Sequence, residues 1–398
     1  MPAQTAATNV PQPAPGALVD HARAMIPTLR AKALQAENDR RVPDETVQAF
    51  KDAGFYKIFQ PIRYGGYEMP FRVMYEIAGE LGRGCGSSAW VFTNMNVQSW
   101  VIGMHHPQAQ EDVWGDSPGA LGASCFPVRG TARFVDGGLV LDGQWSFASG
   151  IDFADWGHCQ AFIPKEGGLP DHRFCLVPRS DFEVKDDWFV TGLSGTGSRS
   201  IVLKDVFVPA HRALNTQLIA GGVSPGSEVN PGPLYKIAPF SVGSHAFSGV
   251  SLGIARGALD LLLEELTTRK SVGGVKMAEM PTVQVRIAEA SAEINAAEAI
   301  LHKDAEEAMR IAETGERPPL ETRARWRLTN AFAAQLCVRA VERLHPLAGA
   351  RGLGRDNLFL LAWRDVHAAV SQITMSWDIQ TVNAGRVLFG LPPQDPRL

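Results

Sequence analysis

Apolar residues recur at helical spacing from Ala17 to about Gly115, as in Leu18, Ala22, Met25, Ile26 and Leu29, with breaks at Pro43, the Tyr64-Gly65-Gly66 turn and Pro107. The spacing predicts a helical domain over residues 17–118. Beyond it the texture changes to short alternating or β-branched runs: Ala132–Val135 ahead of an Asp136-Gly137-Gly138 turn, then Leu139–Leu141 and Ile201–Leu203. These predict a small β-barrel or sandwich over residues 119–225. A Gly-, Pro-, Ser- and Asn-rich loop spans 221–233, and long helical patterns return at 240–270, 280–312, 320–346 and 357–390. Residues 226–398 therefore read as a helix bundle. The first sixteen residues are rich in Ala, Pro, Thr and Gln, have neither a basic nor an apolar leader region, and read as a flexible tail.

Composition removes several classes of function. With 398 residues, 45% hydrophobic and 20% charged, the chain buries a large core shared by two or three subdomains. A net charge of -4, with no stripe of Lys and Arg, gives no footprint for nucleic acid or an anionic membrane. No span is read as a transmembrane helix. Cys85, Cys125, Cys159, Cys175 and Cys337 are odd in number, widely spaced and free of CxxC pairs. Neither a disulfide framework nor a zinc site is expected, and a cytoplasmic, reducing compartment is.

Four motifs could carry chemistry, and each has a plainer reading. Trp145-Ser146-Phe147-Ala148-Ser149-Gly150, followed by Asp152, Asp155 and Trp156, sets aromatic walls, small hydroxyls and a glycine at a strand end. A flavin ring suits such a place, and so does a β-turn with a packed tryptophan. Thr191–Ser198 is a Gly- and hydroxyl-rich loop able to cradle a phosphate, but it lacks the lysine of a P-loop and serves equally as a plain connection. Gly253-Ile254-Ala255-Arg256 with Arg269, and Ala348–Arg355, place arginines beside flexible backbone. They fit a diphosphate clamp or, as plainly, helix packing.

Taken in order, and joined by Asp205–Pro209 and Arg364-Asp365, these motifs resemble the acyl-CoA dehydrogenase superfamily over nearly the whole chain after the tail. The resemblance implies an α+β fold with an N-terminal helical domain, a central β-barrel and a C-terminal four-helix bundle. It also implies a flavin between barrel and bundle, completed by a neighbouring subunit of a homotetramer. The dehydrogenases of that superfamily use a glutamate base. Here Thr374 stands at one of its positions and Gly243 and Ser244 near the other, with Asp378 one helical turn from Thr374. A threonine does not remove a proton at neutral pH.

The stronger likeness is to the flavin monooxygenase branch that includes the oxygenase components of hydroxyphenylacetate and hydroxysteroid hydroxylases and dibenzothiophene oxygenase. It rests on Gly86–Trp90, Trp145–Trp156 and Gly385–Pro393. It implies reduced FMN or FAD delivered by a separate reductase, O2 as co-substrate, a C4a-hydroperoxyflavin, and a small aromatic or heteroatom-containing substrate. Trp90, Trp145, Ser149, Ser198, Arg269, Gly349 and Gly352 are the implied cofactor-binding residues, with Ser149 donating a hydrogen bond to flavin N5.

Many members of the branch carry two active-site histidines where this chain has Gln98 and Gln372. Glutamine does not take a proton, so the usual base for a phenol is missing and a nucleophile such as an indole, amine or sulfide is favoured. His245 could supply an imidazole from another wall or be structural. His105, His106, His158 and His211 are expected at the surface. The rival readings are an acyl-CoA dehydrogenase holding FAD and a non-catalytic flavin-fold scaffold.

Overall fold

The computed structural model describes residues 12–127, 129–168 and 170–398. Residues 1–11 of the expected tail lie outside the described residues, and Pro15 already opens the first helix. The helical N-terminal region comprises α1 (Pro15–Ala24), α2 (Ile26–Asp39), α3 (Asp44–Asp52), α4 (Arg72–Gly84), α5 (Gly86–Ile102) and α6 (Pro107–Trp114). Eight strands follow: β1 (Gly122–Pro127), β2 (Thr131–Val135), β3 (Gly138–Ala148), β4 (Trp156–Ile163), β5 (Asp171–Pro178), β6 (Glu183–Lys185), β7 (Arg199–Pro209) and β8 (Ala213–Asn215). The C-terminal region comprises α7 (Pro239–Val242), α8 (His245–Thr268), α9 (Pro281–Thr314), α10 (Leu320–Ala348), α11 (Leu358–Val370) and α12 (Trp377–Leu388).

The strands form one mixed sheet in the order β6-β7-β3-β1-β4-β5-β8, with β2 on β3. Its β1–β4 pair is parallel and the other pairs antiparallel. The path has two ends, β6 and β8, so hydrogen bonding does not close it into a ring. β3 slips register against β7 between Trp145 and Ala148, and Phe147 there takes a left-handed backbone, φ 61°. A bulge of this kind re-aims side chains at the end of a strand. Here it turns the segment that carries Phe147 and Ser149.

Two helices organise the core. α5 is apolar on nearly every side, and of its residues only Val97 escapes burial. Trp90, Asn94 and Gln98, four residues apart, form one stripe on it. α8 crosses α4 at backbone contact. A Cβ on Gly253 would stand 2.3 Å from the Gly79 carbonyl oxygen, and one on Gly257 would stand 2.6 Å from that of Arg83. The Gly253–Arg256 motif is thus a helix-packing seam in this chain. The Pro239–Thr268 segment is, contrary to expectation, long and apolar enough to cross a membrane, but it is mostly buried among its neighbours as a core helix.

Candidate active site

α5, the β1 and β3 strands, the Trp188–Ser198 segment and the turn between α11 and α12 enclose a cavity of about 580 Å³. Trp90 and Asn94 enter from α5, Ser124 and Phe126 from β1, and Phe147 and Ser149 from the bulged end of β3. Trp188 packs edge-on against Phe147 at 6.3 Å, and Phe247 lies 4.8 Å from Trp90. Ser371, Gln372 and Ile373 complete the far wall. Alternation along β1 explains why Ser124 and Phe126 share a face while Cys125 between them points into the core.

A line of hydroxyls runs along one side of the cavity. Trp90 Nε1 donates to Ser149 Oγ at 3.1 Å, Ser149 and Ser198 hydroxyls lie 2.6 Å apart, and Ser198 and Thr196 hydroxyls also lie 2.6 Å apart. Thr196 Oγ1 donates to the Leu193 carbonyl at 2.8 Å. A hydroxyl has one proton, and a carbonyl only accepts. Thr196 therefore gives its proton to Leu193, Ser198 gives its own to Thr196, and Ser149 gives its own to Ser198. Ser149 is not the free donor expected of it: its proton points along the line.

The loop that ends this line is pinned to α11. Leu193, left-handed at φ 52°, donates its N–H to Asp365 Oδ1 at 2.6 Å. Arg364 Nη1 reaches the Thr191 carbonyl at 2.7 Å and Glu37 Oε1 at 2.6 Å. Gly192 is wedged against that helix: a Cβ there would stand 2.5 Å from the Arg364 carbonyl oxygen and 2.9 Å from Ala368 Cβ. Burial pushes the Asp365 carboxyl up to about 7, against the smaller lowering effect of the Leu193 N–H.

Opposite, Ser124 Oγ donates to Asn94 Oδ1 at 2.7 Å, and Asn94 Nδ2 donates to the Ser149 carbonyl at 2.7 Å. Behind them Gln98 Oε1 accepts from His158 Nδ1 at 2.8 Å, and His158 Nε2 faces His105 Nε2 at 3.0 Å. Both imidazoles are fully buried, and burial brings His158 down to about 3 and His105 well below its usual range. These neutral rings are structural links between α5 and β4. Their surface placement was expected and is corrected by the sheet closing over them. His106 does sit at the surface, capping α6, and His211 pairs with Asp112 at 2.7 Å.

The cavity gathers Trp90, Ser149, Ser198 and Gln372 from the predicted set. Gln98 does not line it, because its side chain turns toward His158. Trp145 lies in the sheet core and donates to the Gln160 carbonyl at 2.7 Å. His245 is held at 3.1 Å by the buried Asp304, which also accepts from Thr329, and it does not reach the cavity. Arg269, Gly349 and Gly352 form a separate cluster: Arg269 binds the Leu347 and Ala348 carbonyls, and Gly349 lies against its guanidinium. Asn94, Ser124, Thr196 and Asp365 were not singled out as site residues. Alternation on β1 and four-residue spacing from Trp90 were the available signals for Ser124 and Asn94; the fold alone brings Asp365 to the loop.

Among the described residues, no ionisable side chain lines the cavity. Thr374 donates to Gln372 Oε1, and Ser244 accepts from Asn330, so neither stands as a base. A flavin ring suits this enclosure. The cavity has the volume for a tricyclic ring, tryptophan and phenylalanine walls offer flat apolar surfaces, and Ser149 Oγ offers a lone pair.

Residues 16–115 match the acyl-CoA dehydrogenase N-terminal domain and residues 245–377 its C-terminal domain. The chain is 34% identical over 374 residues to the flavin-dependent monooxygenase oxygenase subunit HsaA of Rhodococcus jostii, covering 94% of this chain and 98% of that protein. It is likewise 34% identical to the oxygenase component of an FADH(2)-dependent resorcinol hydroxylase from a Rhizobium species, covering 97% and 98%. The structure of XiaF from a Streptomyces species in complex with FADH2 and glycerol superposes with a TM-score of 0.88 at 28% identity, covering 96% of this chain and 98% of that one.

Proposed function

The chain belongs to the acyl-CoA dehydrogenase family and, within it, to the oxygenase components of flavin-dependent monooxygenases; from that premise we propose that its cavity takes reduced FMN or FAD together with a neutral, electron-rich aromatic or heteroatom substrate. An indole, an amine or a sulfide fits this description. The observation that carries the reading is a cavity wall with no ionisable side chain. A phenol becomes a strong ring nucleophile when a base takes its proton, whereas an indole or sulfide attacks with electrons it already has. The dehydrogenase alternative loses its support on the same ground, since among the described residues no carboxylate lines the cavity to remove an α-proton.

The bound reduced flavin supplies the electrons and the position at which O2 is activated. The protein's own groups divide the remaining work. Trp90, Phe147 and Trp188 supply flat walls for the ring, and Ser149 sets a hydrogen-bonding oxygen at its edge. Ser124, fixed by Asn94, has lone pairs left for a substrate N–H or O–H. The Gln372 carbonyl oxygen is held by Thr374, which leaves its amide hydrogens to orient the substrate. Phe126, Val190, Phe247 and Ile373 keep water out.

An oxygenase component works with a separate reductase, and reduced flavin is the shared reagent. In our reading the protein is a cytoplasmic homotetramer. Phe389, 85% exposed at the end of α12, falls by helical spacing on the side of the half-exposed Ile379 and Val382, an apolar face suited to a second copy. The Arg269 and Gly349 cluster does not line its own chain's cavity, and in this reading it serves a neighbour's flavin.

The test is anaerobic loading with reduced FMN or FAD, followed by mixing with O2 and indole, a thioether or a phenol. Oxygenated indole or sulfide with little pH dependence is expected. Efficient turnover confined to phenols, as the resorcinol hydroxylase likeness would suggest, overturns the substrate reading.

A further inference from the structure

The direction of the hydroxyl line bears on which redox state of the cofactor the cavity accepts. The Leu193 carbonyl can only accept, so the line Trp90–Ser149–Ser198–Thr196–Leu193 has one consistent order of protons, each passed toward that carbonyl. Reversing it would set Thr196 Oγ1 against the Leu193 carbonyl with no proton between them at 2.8 Å. All three hydroxyls and Leu193 are buried, where two oxygens facing each other without a proton are costly. At the other end Trp90 Nε1 can only donate and takes one lone pair of Ser149, which leaves the order to be set by the Leu193 carbonyl alone. Ser149 is left with its proton committed, one lone pair taken by Trp90 and one lone pair uncommitted.

Reduced flavin carries a hydrogen on N5, and oxidised flavin carries a lone pair there. We infer that the fixed proton order through Ser198 and Thr196 makes Ser149 an obligate acceptor, so that these two residues set the preference of the cavity for reduced over oxidised flavin. The inference rests on the placement of the flavin ring at Ser149 in the reading above. Ser198 and Thr196 are positioning residues here, since they act by holding the Ser149 proton. An oxidised ring brought to Ser149 would face lone pair against lone pair, and a reduced ring would donate into the open one. The line therefore discriminates without any charged group.

The test is a pair of anaerobic titrations, with oxidised and with reduced FMN and FAD, giving a ratio of dissociation constants for each variant. Wild type binds the reduced forms more tightly. Ser198→Ala removes the acceptor for the Ser149 proton, and Thr196→Val removes the outlet of the line. Each frees that proton to turn to the ring, tightens oxidised-flavin binding and narrows the ratio about tenfold, the worth of one hydrogen bond. Thr196→Ser restores the outlet and the wild-type ratio. The variants lie in different local settings, so loss of folding in one leaves the other to decide. Equal affinity of wild type for both redox states overturns the inference, as does an unchanged ratio in Ser198→Ala and Thr196→Val, or narrowing in Thr196→Ser as large as in Thr196→Val. Failure of wild type to bind either flavin overturns the inference and the placement of the site together.

Discussion

Leu193 joins the cavity to the C-terminal helices through both of its backbone polar groups: its N–H is held by Asp365 at 2.6 Å, while its carbonyl closes the hydroxyl line from Ser149. The carboxyl that holds this residue is buried and pushed up to about 7, chiefly by loss of water. Its folded-state value lies above that of the unfolded chain, so the folded state retains the proton over the window between about 4 and about 7. Stability from this group is present below that window and declines as pH rises through it, by at most about 1.4 kcal/mol per pH unit. Asp365→Asn keeps an acceptor for Leu193 and removes the titration. Urea unfolding at pH 5 and pH 8 is expected to show the wild type losing stability relative to Asp365→Asn at the higher pH. Parallel curves at both pH values contradict the assignment.

Gly192 fixes how closely the same loop approaches α11. A methyl group there meets the Arg364 carbonyl at 2.5 Å, and backbone on both sides cannot rotate away as a side chain could. Gly192→Ala is expected to cost about 1–3 kcal/mol of stability and to displace Leu193 from the cavity. Reduced-flavin titration should then show a dissociation constant weakened about tenfold or more. Unchanged affinity would mean that the loop relaxes without moving the site.

Gln372 stands in the cavity wall with its carbonyl oxygen engaged by Thr374. Gln372→His introduces a titratable group of ordinary value about 6.5 into a wall that has none. Phenol hydroxylation is expected to rise about tenfold or more relative to indole oxygenation, with a pH–rate profile that climbs as the imidazole loses its proton. Product ratios from mixed phenol and indole measured from pH 5.5 to 8 check this. A variant with the wild-type ratio at every pH shows that proton removal is not what limits phenols.

The three-part architecture was legible because periodicity is a local property: helical spacing in residues 17–118 and alternation in 119–225 each follow from one stretch of chain. Ser149 and Ser198 were legible as small hydroxyls in glycine-rich turns. The hydrogen bonds that decide their role were not, since proton order depends on Trp90, Thr196 and Leu193 meeting in space. His105 and His158 show the same limit. Each looks like a surface histidine beside a turn or strand end, and burial comes only when β4 lies under α5. Trp145 errs the other way: it belongs to the motif, but its alternation with Ser146 along β3 sends the indole into the core.

The buried Gln98–His158–His105 line sets stability and leaves substrate choice to the opposite wall. His158 Nδ1 donates to Gln98 Oε1, so His158 Nε2 accepts from His105 Nε2 and both rings stay neutral. Burial holds His158 down to about 3, below its unfolded value, so its contribution is present above about 6.5 and is lost as pH falls toward 3. His158→Leu removes this acid-side loss but leaves a buried glutamine oxygen and a buried imidazole N–H unpaired, at a cost of about 2–4 kcal/mol near neutral pH. The variant is expected to melt lower than wild type at pH 7 and to close much of that gap at pH 5. Its ratio of indole to sulfide oxygenation should stay near wild type, whereas Ser124→Ala, which removes a hydroxyl from the cavity itself, should change it several-fold. If His158→Leu alters that ratio as much as Ser124→Ala does, the line reaches the reacting wall and Gln98 takes part in substrate positioning after all.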